Sequence, residues 1–391
     1  MARRIAVVQH GDYAQALRII GRGQPEPYFG MAYTLCVLRG LFGGSPHLVV
    51  SLDAPAGRDT SGNGVLVGLP VPKFPLESIS EIVRARRVRA ELQRFEPTHI
   101  LLRASGFVAI DVLEYARVHG SSTLAVFANV FDDSSWVARH VNRRLGKLLR
   151  QPCVFLVGNH KEPATRSMIA WGVSAENAVA WDWPNARHPR DNAPKVLREG
   201  GEWRVVYVGS VSEAKGVGDL VEAVRILRDG GMPASLDVAG DGPALDSLRE
   251  RASALGSDVI RFLGRIGNDE AFRLMMASSL VCVPSRHEFS EGMPLTLTEA
   301  LASRTPVVIS DHPVFASFVD GEGVRVFSER DPSGLARVIR EVMLDPHEYA
   351  RLSLTTLDAF RRVECTTYFG DLITRWKASF ESPLGGNAVG R

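Results

Sequence analysis

Short apolar runs alternate along this chain with longer segments whose apolar residues recur every three or four positions. In the first half the runs are residues 5–9, 48–52, 65–68, 100–103, 124–127 and 154–157. Each reads as a buried strand. Helical spacing covers 33–41, 78–94, 110–118 and 136–149. The second half repeats the alternation. Its strands fall at 204–208, 235–239, 260–263, 280–283, 307–310 and 324–327, and its helices at 218–228, 244–254, 268–277, 296–302 and 332–343. Strands alternating with helices predict mostly parallel sheets wound on both faces. The fold class is therefore α/β, with two doubly wound domains of similar size. Pro184, Pro189, Pro194 and Gly200-Gly201 interrupt the pattern, so 181–201 reads as an interdomain linker. The domains are expected at 1–190 and 191–362, with a closing helix within 363–381. Ligands of such sheets bind beyond the carboxyl ends of the strands. In the first half that edge collects the loops 10–13, 103–106, 129–133 and 158–161, joined by the segment 26–31.

Composition changes this picture little. The 391 residues are 45% hydrophobic and 23% charged, as in an ordinary globular protein. No apolar run approaches the ~20 residues of a membrane-spanning helix. The N-terminus passes from Arg3 and Arg4 into a strand without the apolar stretch of a signal peptide. Cys36, Cys153, Cys282 and Cys365 are scattered. Three of them sit among apolar residues and read as buried thiols of a reducing, cytoplasmic compartment. No Cys or His spacing suggests zinc.

Charge changes it more. Residues 1–195 carry 24 Lys and Arg against 16 Asp and Glu, and residues 196–391 carry 22 against 28. Opposite signs suit two domains facing each other across a cleft. A basic half suits an anionic acceptor or an anionic membrane surface. Arg84, Arg86, Arg87 and Arg89 lie on one helical segment. Arg139, Arg143, Arg144, Lys147 and Arg150 lie on another, interleaved with Val141, Leu145, Leu148 and Leu149. The plainer reading of the second is a helix that packs its apolar face on a core and solvates the other. The alternative is a helix that lies on an anionic membrane surface. No nucleic-acid partner is expected.

The stretch richest in chemistry follows the run 280–283. Pro284-Ser285-Arg286-His287-Glu288-Phe289-Ser290-Glu291-Gly292-Met293-Pro294 reads as a loop, and Leu295-Thr296-Leu297-Thr298-Glu299-Ala300-Leu301-Ala302 as the helix after it. A loop feeding a helix offers backbone N–H groups at the positive helix end, which suits a phosphate. A carboxylate one turn further in can accept two hydrogen bonds from a sugar diol. On spacing alone the stretch is equally a surface helix with an acidic first turn. Strand 204–208 runs into Gly209-Ser210-Val211-Ser212-Glu213-Ala214-Lys215-Gly216. Small residues there let the backbone approach a diphosphate, and Lys215 supplies a point charge. Val238-Ala239-Gly240-Asp241-Gly242-Pro243 reads first as a tight turn. Phe262-Leu263-Gly264-Arg265-Ile266 suits a nucleobase through its backbone, with Arg265 equally a surface residue.

Taken in order, these four loops resemble the retaining glycosyltransferases of the two-domain GT-B fold, the large family 4 (group 1) in particular. The resemblance covers residues 203–345 well and the first half only in general layout. It implies two Rossmann-like domains facing a cleft, with the closing helix, 368–380, crossing back to the N-terminal domain. Glu291 matches a glutamate beside the donor sugar and is the first catalytic candidate. The amides after Gly292, from Met293, Leu295 and Thr296, match those that hold sugar and phosphate. Pro294 has no N–H to give. Glu299 matches the glutamate on the ribose hydroxyls, Lys215 the basic residue on the diphosphate, and Gly209 the turn beside it. Gly11 or Gly30 matches a glycine loop on the acceptor side, with His10 and Tyr28 nearby. Two positions depart from the family. Ser210 stands where arginine is usual, so phosphate binding would lean on Lys215, helped by Arg286. Ala128-Asn129 stands where a histidine is frequent, so that role is vacant or falls to Asn129 or His10.

The implied activity is transfer of a sugar from a UDP- or GDP-sugar to a hydroxyl of a glycan, lipid-linked or small-molecule acceptor, with retention. The nucleotide sugar is a co-substrate. No cofactor or metal is required, which fits the lack of an Asp-x-Asp. The setting implied is polysaccharide or glycoconjugate biosynthesis in the cytoplasm, with peripheral membrane contact. The alternatives are a sugar-nucleotide epimerase of the same architecture and a catalytically weak sugar-nucleotide-binding protein. A dinucleotide oxidoreductase is disfavoured, because no Gly-x-Gly-x-x-Gly follows the first strand.

Overall fold

The computed structural model describes residues 3–24, 26, 30–72, 77–131, 135–197, 200–289 and 292–380. The chain divides into two compact units, Met1–Pro184 together with the chain from Cys365 onward, and Asn185–Glu364.

The first unit is built from β1 (Ile5–His10), α1 (Tyr13–Gly21), α2 (Met31–Phe42), β2 (His47–Leu52), β3 (Gly57–Ser61), β4 (Gly64–Leu69), α3 (Glu77–Phe95), β5 (His99–Arg103), α4 (Gly106–His119), β6 (Ser122–Phe127), α5 (Trp136–Leu148), β7 (Val154–His160), α6 (Lys161–Ala170) and β8 (Ala178–Trp181). Its eight strands run in the order β3-β4-β2-β1-β5-β6-β7-β8. All neighbours are parallel except the β3–β4 hairpin. Strands covered on both faces are near-continuous apolar runs, which is why β1, β2, β5 and β6 stand out in the sequence. β3 is exposed along its whole length and has no such run. Residues 158–161 are not the expected loop. β8 pairs with β7 as far as His160↔Trp181, so Gly158, Asn159 and His160 finish a strand and Lys161 opens α6.

The second unit contains β9 (Trp203–Val208), α7 (Val217–Asp229), β10 (Ala234–Ala239), α8 (Leu245–Ala252), β11 (Ile260–Gly264), α9 (Asn268–Ala277), β12 (Leu280–Val283), α10 (Leu295–Ala302), β13 (Val307–Ser310), β14 (Val324–Phe327), α11 (Pro332–Leu344) and α12 (Pro346–Val363). The strands form a six-stranded sheet in the order β11-β10-β9-β12-β13-β14, so the two sheets differ in size. α12 follows α11 without a loop. Asp345 caps it, accepting from the His347 and Glu348 N–H groups at 2.9 and 3.0 Å. Pro346 takes the first helical position, where its missing N–H costs nothing.

The last helix, α13 (Phe369–Ala378), belongs to the first unit. Phe369, Leu372, Ile373 and Trp376 are buried in one cluster with Ile5, Val7, Leu101 and Leu124. The returning chain is stitched at Asp182. Its N–H donates to the Thr367 carbonyl at 3.0 Å, and the Phe369 N–H donates to its carbonyl at 3.1 Å.

Residues 181–201 are not a free linker. Trp181 is a buried strand residue. Beyond Pro184 the chain is fastened onto the second unit. Arg304 Nε donates to the Pro189 carbonyl at 2.7 Å, and Asn192 Nδ2 donates to the Ala302 carbonyl at 3.0 Å. Lys195 Nζ donates to the Met275 and Ser278 carbonyls and to Thr305 Oγ1, at 3.0, 2.9 and 2.6 Å. Pro189 opens a short 3-10 turn, Pro189–Asp191, within this fastened segment. The cysteines also differ from expectation. Cys282 is buried, Cys153 and Cys365 are half-buried, and Cys36 is exposed on the outer face of α2.

Candidate functional site

The carboxyl ends of β9, β10 and β11 share one edge of the second sheet. There the loops interlock backbone to backbone. The Gly209 N–H donates to the Ala239 carbonyl at 3.0 Å, the Val211 N–H to the Asp241 carbonyl at 2.9 Å and the Gly240 N–H to the Gly264 carbonyl at 2.7 Å. A Cβ at Gly240 would lie 1.7 Å from the Gly209 carbonyl oxygen, so this approach requires glycine. The loops enclose a cavity of about 430 Å³ lined by Gly209, Ser210, Asp241, Gly242 and Arg265. Three expected site residues meet there, with two from what reads in sequence as a tight turn. Tyr207 donates its hydroxyl to the Ser210 carbonyl at 2.6 Å, fixing the turn.

Lys215 ends a short 3-10 turn, Glu213–Lys215. Gly216, at φ +67, lets that turn press on the loop after β12. A Cβ there would meet the Pro284 carbonyl oxygen at 2.0 Å. The Arg286 N–H donates to the Ala214 carbonyl at 2.9 Å. Lys215 Nζ sits 4.1 Å over the Phe289 ring, a cation–π contact. Arg286 does not stand ready as a phosphate ligand. Its Nε and Nη2 are spent on Asp219 of α7, at 3.0 and 2.8 Å.

Thr296 Oγ1 donates to the Val208 carbonyl at 3.0 Å, bolting the first turn of α10 beside Gly209. Pro294 at the N-cap supplies no side-chain acceptor, so Leu295 and Thr296 present their N–H groups without a side-chain cap. Met293 anchors the loop through a buried side chain, while Gly292 has open space around it. Glu299 lies one turn further along. Arg187 Nη1 donates to its Oε1 at 2.7 Å. Burial pushes the Glu299 carboxyl up, and the Arg187 charge opposes it. Glu291 and Tyr28 lie outside the described residues. Among the described residues no group of three or more His, Cys, Asp or Glu side chains is placed to hold a metal ion.

The first unit has its own cavity at the same kind of edge, about 380 Å³, lined among others by Gln9, His10, Arg103, Ser105, Asn129 and Trp181. It brings His10 and Asn129 together. His10 Nδ1 lies 2.7 Å from Asp53 Oδ2. Asp53 also pairs with the buried Arg84, which in turn pairs with Glu81. Burial alone would raise the Asp53 carboxyl. The His10 hydrogen bond and the Arg84 charge outweigh it and hold the carboxyl below its usual range. Asn159 Nδ2 donates to the Asn129 carbonyl at 3.0 Å. Gly11 follows His10 at φ +80. Gly30 is elsewhere, at the head of α2, where a Cβ would meet the Trp183 ring at 2.3 Å.

Residues 189–356, nearly the whole of the second unit, match the family model described as glycosyl transferases group 1. The second unit is a group 1 glycosyltransferase domain. The chain is 28% identical over 206 residues to a GDP-mannose-dependent alpha-(1-6)-phosphatidylinositol dimannoside mannosyltransferase of Mycobacterium tuberculosis, covering 52% of this chain and 50% of that protein. It is 30% identical over 167 residues to a glycogen synthase of the same species, covering 42% of this chain and 37% of that protein. The chain spans half or less of the length of the curated relatives it matches. Among solved structures it resembles Anabaena HepE, determined in complex with UDP, with a TM-score of 0.63 at 14% identity over 97% of this chain and 99% of that one. The fold is that of the GT-B glycosyltransferases.

Sequence reading missed Arg187 and Asp53 and took Arg84 only as part of a basic helical segment. Arg187 of the glycosyltransferase domain lies among prolines that suggest a linker. Asp53 and Arg84 pair across 31 positions, a separation that no local pattern reports.

Proposed function

We propose that this chain is a glycosyltransferase that moves a sugar from a UDP- or GDP-sugar to a hydroxyl acceptor in glycan biosynthesis, with retention at the anomeric carbon. One observation carries the reading. Strand-end loops bearing Gly209, Ser210, Asp241 and Arg265 close on one cavity, and Thr296 bolts the uncapped head of α10 beside them. The family match over the same residues supports it, as do relatives whose names specify GDP-mannose or a complex with UDP.

In this reading the diphosphate lies at the Leu295 and Thr296 N–H groups and at Lys215. Glu299 accepts the ribose hydroxyls, and Glu291 contacts the donor sugar. The bond from the anomeric carbon to the diphosphate oxygen breaks. The acceptor oxygen bonds to the same face, and its proton passes to the leaving phosphate. Charge growing on the diphosphate meets a fixed ammonium and a fixed helix end, so it is stabilised without reorganisation. No step is assigned to a metal ion. His10 and Asn129 hold the acceptor. The basic outer face of α5 contacts anionic lipid on the cytoplasmic side.

The test is release of UDP or GDP from a panel of sugar nucleotides with hydroxyl acceptors, with magnesium and with EDTA. Product configuration is read by NMR. The expected result is one nucleotide released, in EDTA as well, with the donor's anomeric configuration kept. Release of neither nucleotide ends the reading. An inverted product ends its stereochemical part, and silence in EDTA ends its metal-independent part.

A further inference from the structure

We infer that Arg187 is the positioning residue of Glu299, holding one oxygen of its carboxylate and leaving the other to a ligand. The inference rests on the reading that Glu299 takes the ribose of a nucleotide.

Arg187 is fixed on every side. Nη1 donates to Glu299 Oε1 at 2.7 Å and to the Asn268 carbonyl at 3.3 Å, and Nη2 donates to Asp269 Oδ1 at 2.5 Å. Its guanidinium carbon lies 4.3 Å from the centre of the Phe272 ring. The two carboxylates it touches differ in kind. The Asp269 side chain is 91% exposed, whereas those of Arg187 and Glu299 are 20% and 21% exposed. A pair with so exposed a carboxylate is worth little. The contact with Glu299 is the sheltered one, and a rigid planar fork sets the carboxylate's direction as a flexible ammonium does not.

The second oxygen of Glu299 is unengaged. Among the described residues no hydrogen bond reaches its Oε2. A carboxylate offers about four lone-pair sites, so one bond from Arg187 leaves enough for both hydroxyls of a vicinal diol. That holds only while the group is ionised, since a protonated carboxyl turns one acceptor into a donor. Burial works against ionisation here and Arg187 works for it.

The experiment is calorimetric binding of UDP, GDP and their 2′-deoxy counterparts to the wild type, R187Q, R187K, E299Q and R187Q/E299Q. R187Q should weaken binding of the preferred ribonucleotide by about tenfold or more, the scale of a hydrogen bond to a charged group. R187K should weaken it less. The wild type should prefer ribose to 2′-deoxyribose, and R187Q should lose that preference. In the E299Q background R187Q should add less than about twofold, because residues acting through one contact are not additive. A merely structural arginine would weaken both sugars alike and would add its full effect to E299Q. Either result overturns the inference, as does unchanged binding in R187Q. Should R187Q fail to fold, R187K carries the same ribose comparison. If the wild type binds neither nucleotide, the nucleotide reading itself falls, a result seen before any variant is made.

Discussion

Lys215 carries the heaviest load in the proposed chemistry. Ser210 brings no charge, and Arg286 is tied to Asp219. In the proposed reading the ammonium on its turn, braced over Phe289, meets the diphosphate. K215A should lower kcat by ~10²–10³-fold, the scale for one preorganised group facing transition-state charge. K215R should lose less. Steady-state kinetics at saturating donor decide it, and a kcat within twofold of wild type would place the neutralising charge elsewhere. Single residues of this site were legible in the sequence where each closes a strand. Gly209, Ser210 and Arg265 announce themselves by following apolar runs. Residues whose partner is remote stayed hidden. Arg187 and Glu299 are 112 positions apart, and nothing near Arg187 hints at a carboxylate.

Among the elements, β8 and α13 depend on one buried ionic cluster. Asp182 is fully buried, with Lys161 Nζ at 2.9 Å and His160 Nε2 at 3.0 Å. Its backbone pairs with the segment that leads into α13. D182N should destabilise the protein by ~3–5 kcal/mol, the cost of leaving a buried charge unpaired. The pH dependence follows from the same contacts. Burial would raise the Asp182 carboxyl, but the His160 hydrogen bond and the Lys161 charge hold it below its usual range. Its contribution is therefore present above ~pH 4, the ordinary carboxylate value, and is lost as pH falls through the lower folded value. Denaturant unfolding of the wild type and D182N should converge in that acid range. A constant gap would assign the loss to packing. The helix itself is tested by W376A. Trp376 is fully buried and donates its indole N–H to Ser122 Oγ at 3.0 Å, so truncation should cost ~3–5 kcal/mol. These elements were unevenly legible. α13 shows a clear apolar spacing. α12 was hidden because Asp345 and Pro346 read as the stop of α11 rather than a new start, β3 has no apolar stripe, and the stripe of α1, Tyr13, Ala16, Leu17 and Ile20, is short and was passed over.

At the scale of the molecule, alternation of strand and helix was enough to read two doubly wound sheets, because both are covered by helices and their central strands are near-continuous apolar runs. What pattern could not settle is where the surface charge goes, and α5 poses that question most sharply. Its buried face, Val141, Leu145 and Leu148, packs on the core, as the plainer reading of the sequence holds. Its outer face nevertheless exposes Arg139, Arg143 and Lys147, with Arg150 just beyond its end. Trp136, 71% exposed, stands at its head. Arg144 is drawn back to Glu114, at 3.1 Å. Among the described residues no helix is long and apolar enough to cross a membrane, and this face is the surface proposed to meet one. Each basic residue near an anionic surface contributes ~1 kcal/mol. R143Q/K147Q, both at exposed positions, should then lower partitioning onto phosphatidylglycerol vesicles by about 30-fold, the equivalent of ~2 kcal/mol. Binding of the wild type should weaken as salt rises, because screening shortens the reach of these charges. W136A should weaken binding independently of salt. If the wild type sediments equally with neutral phosphatidylcholine vesicles, or with neither, the basic face is a solvated surface, and the acceptor must reach the protein without the membrane's help.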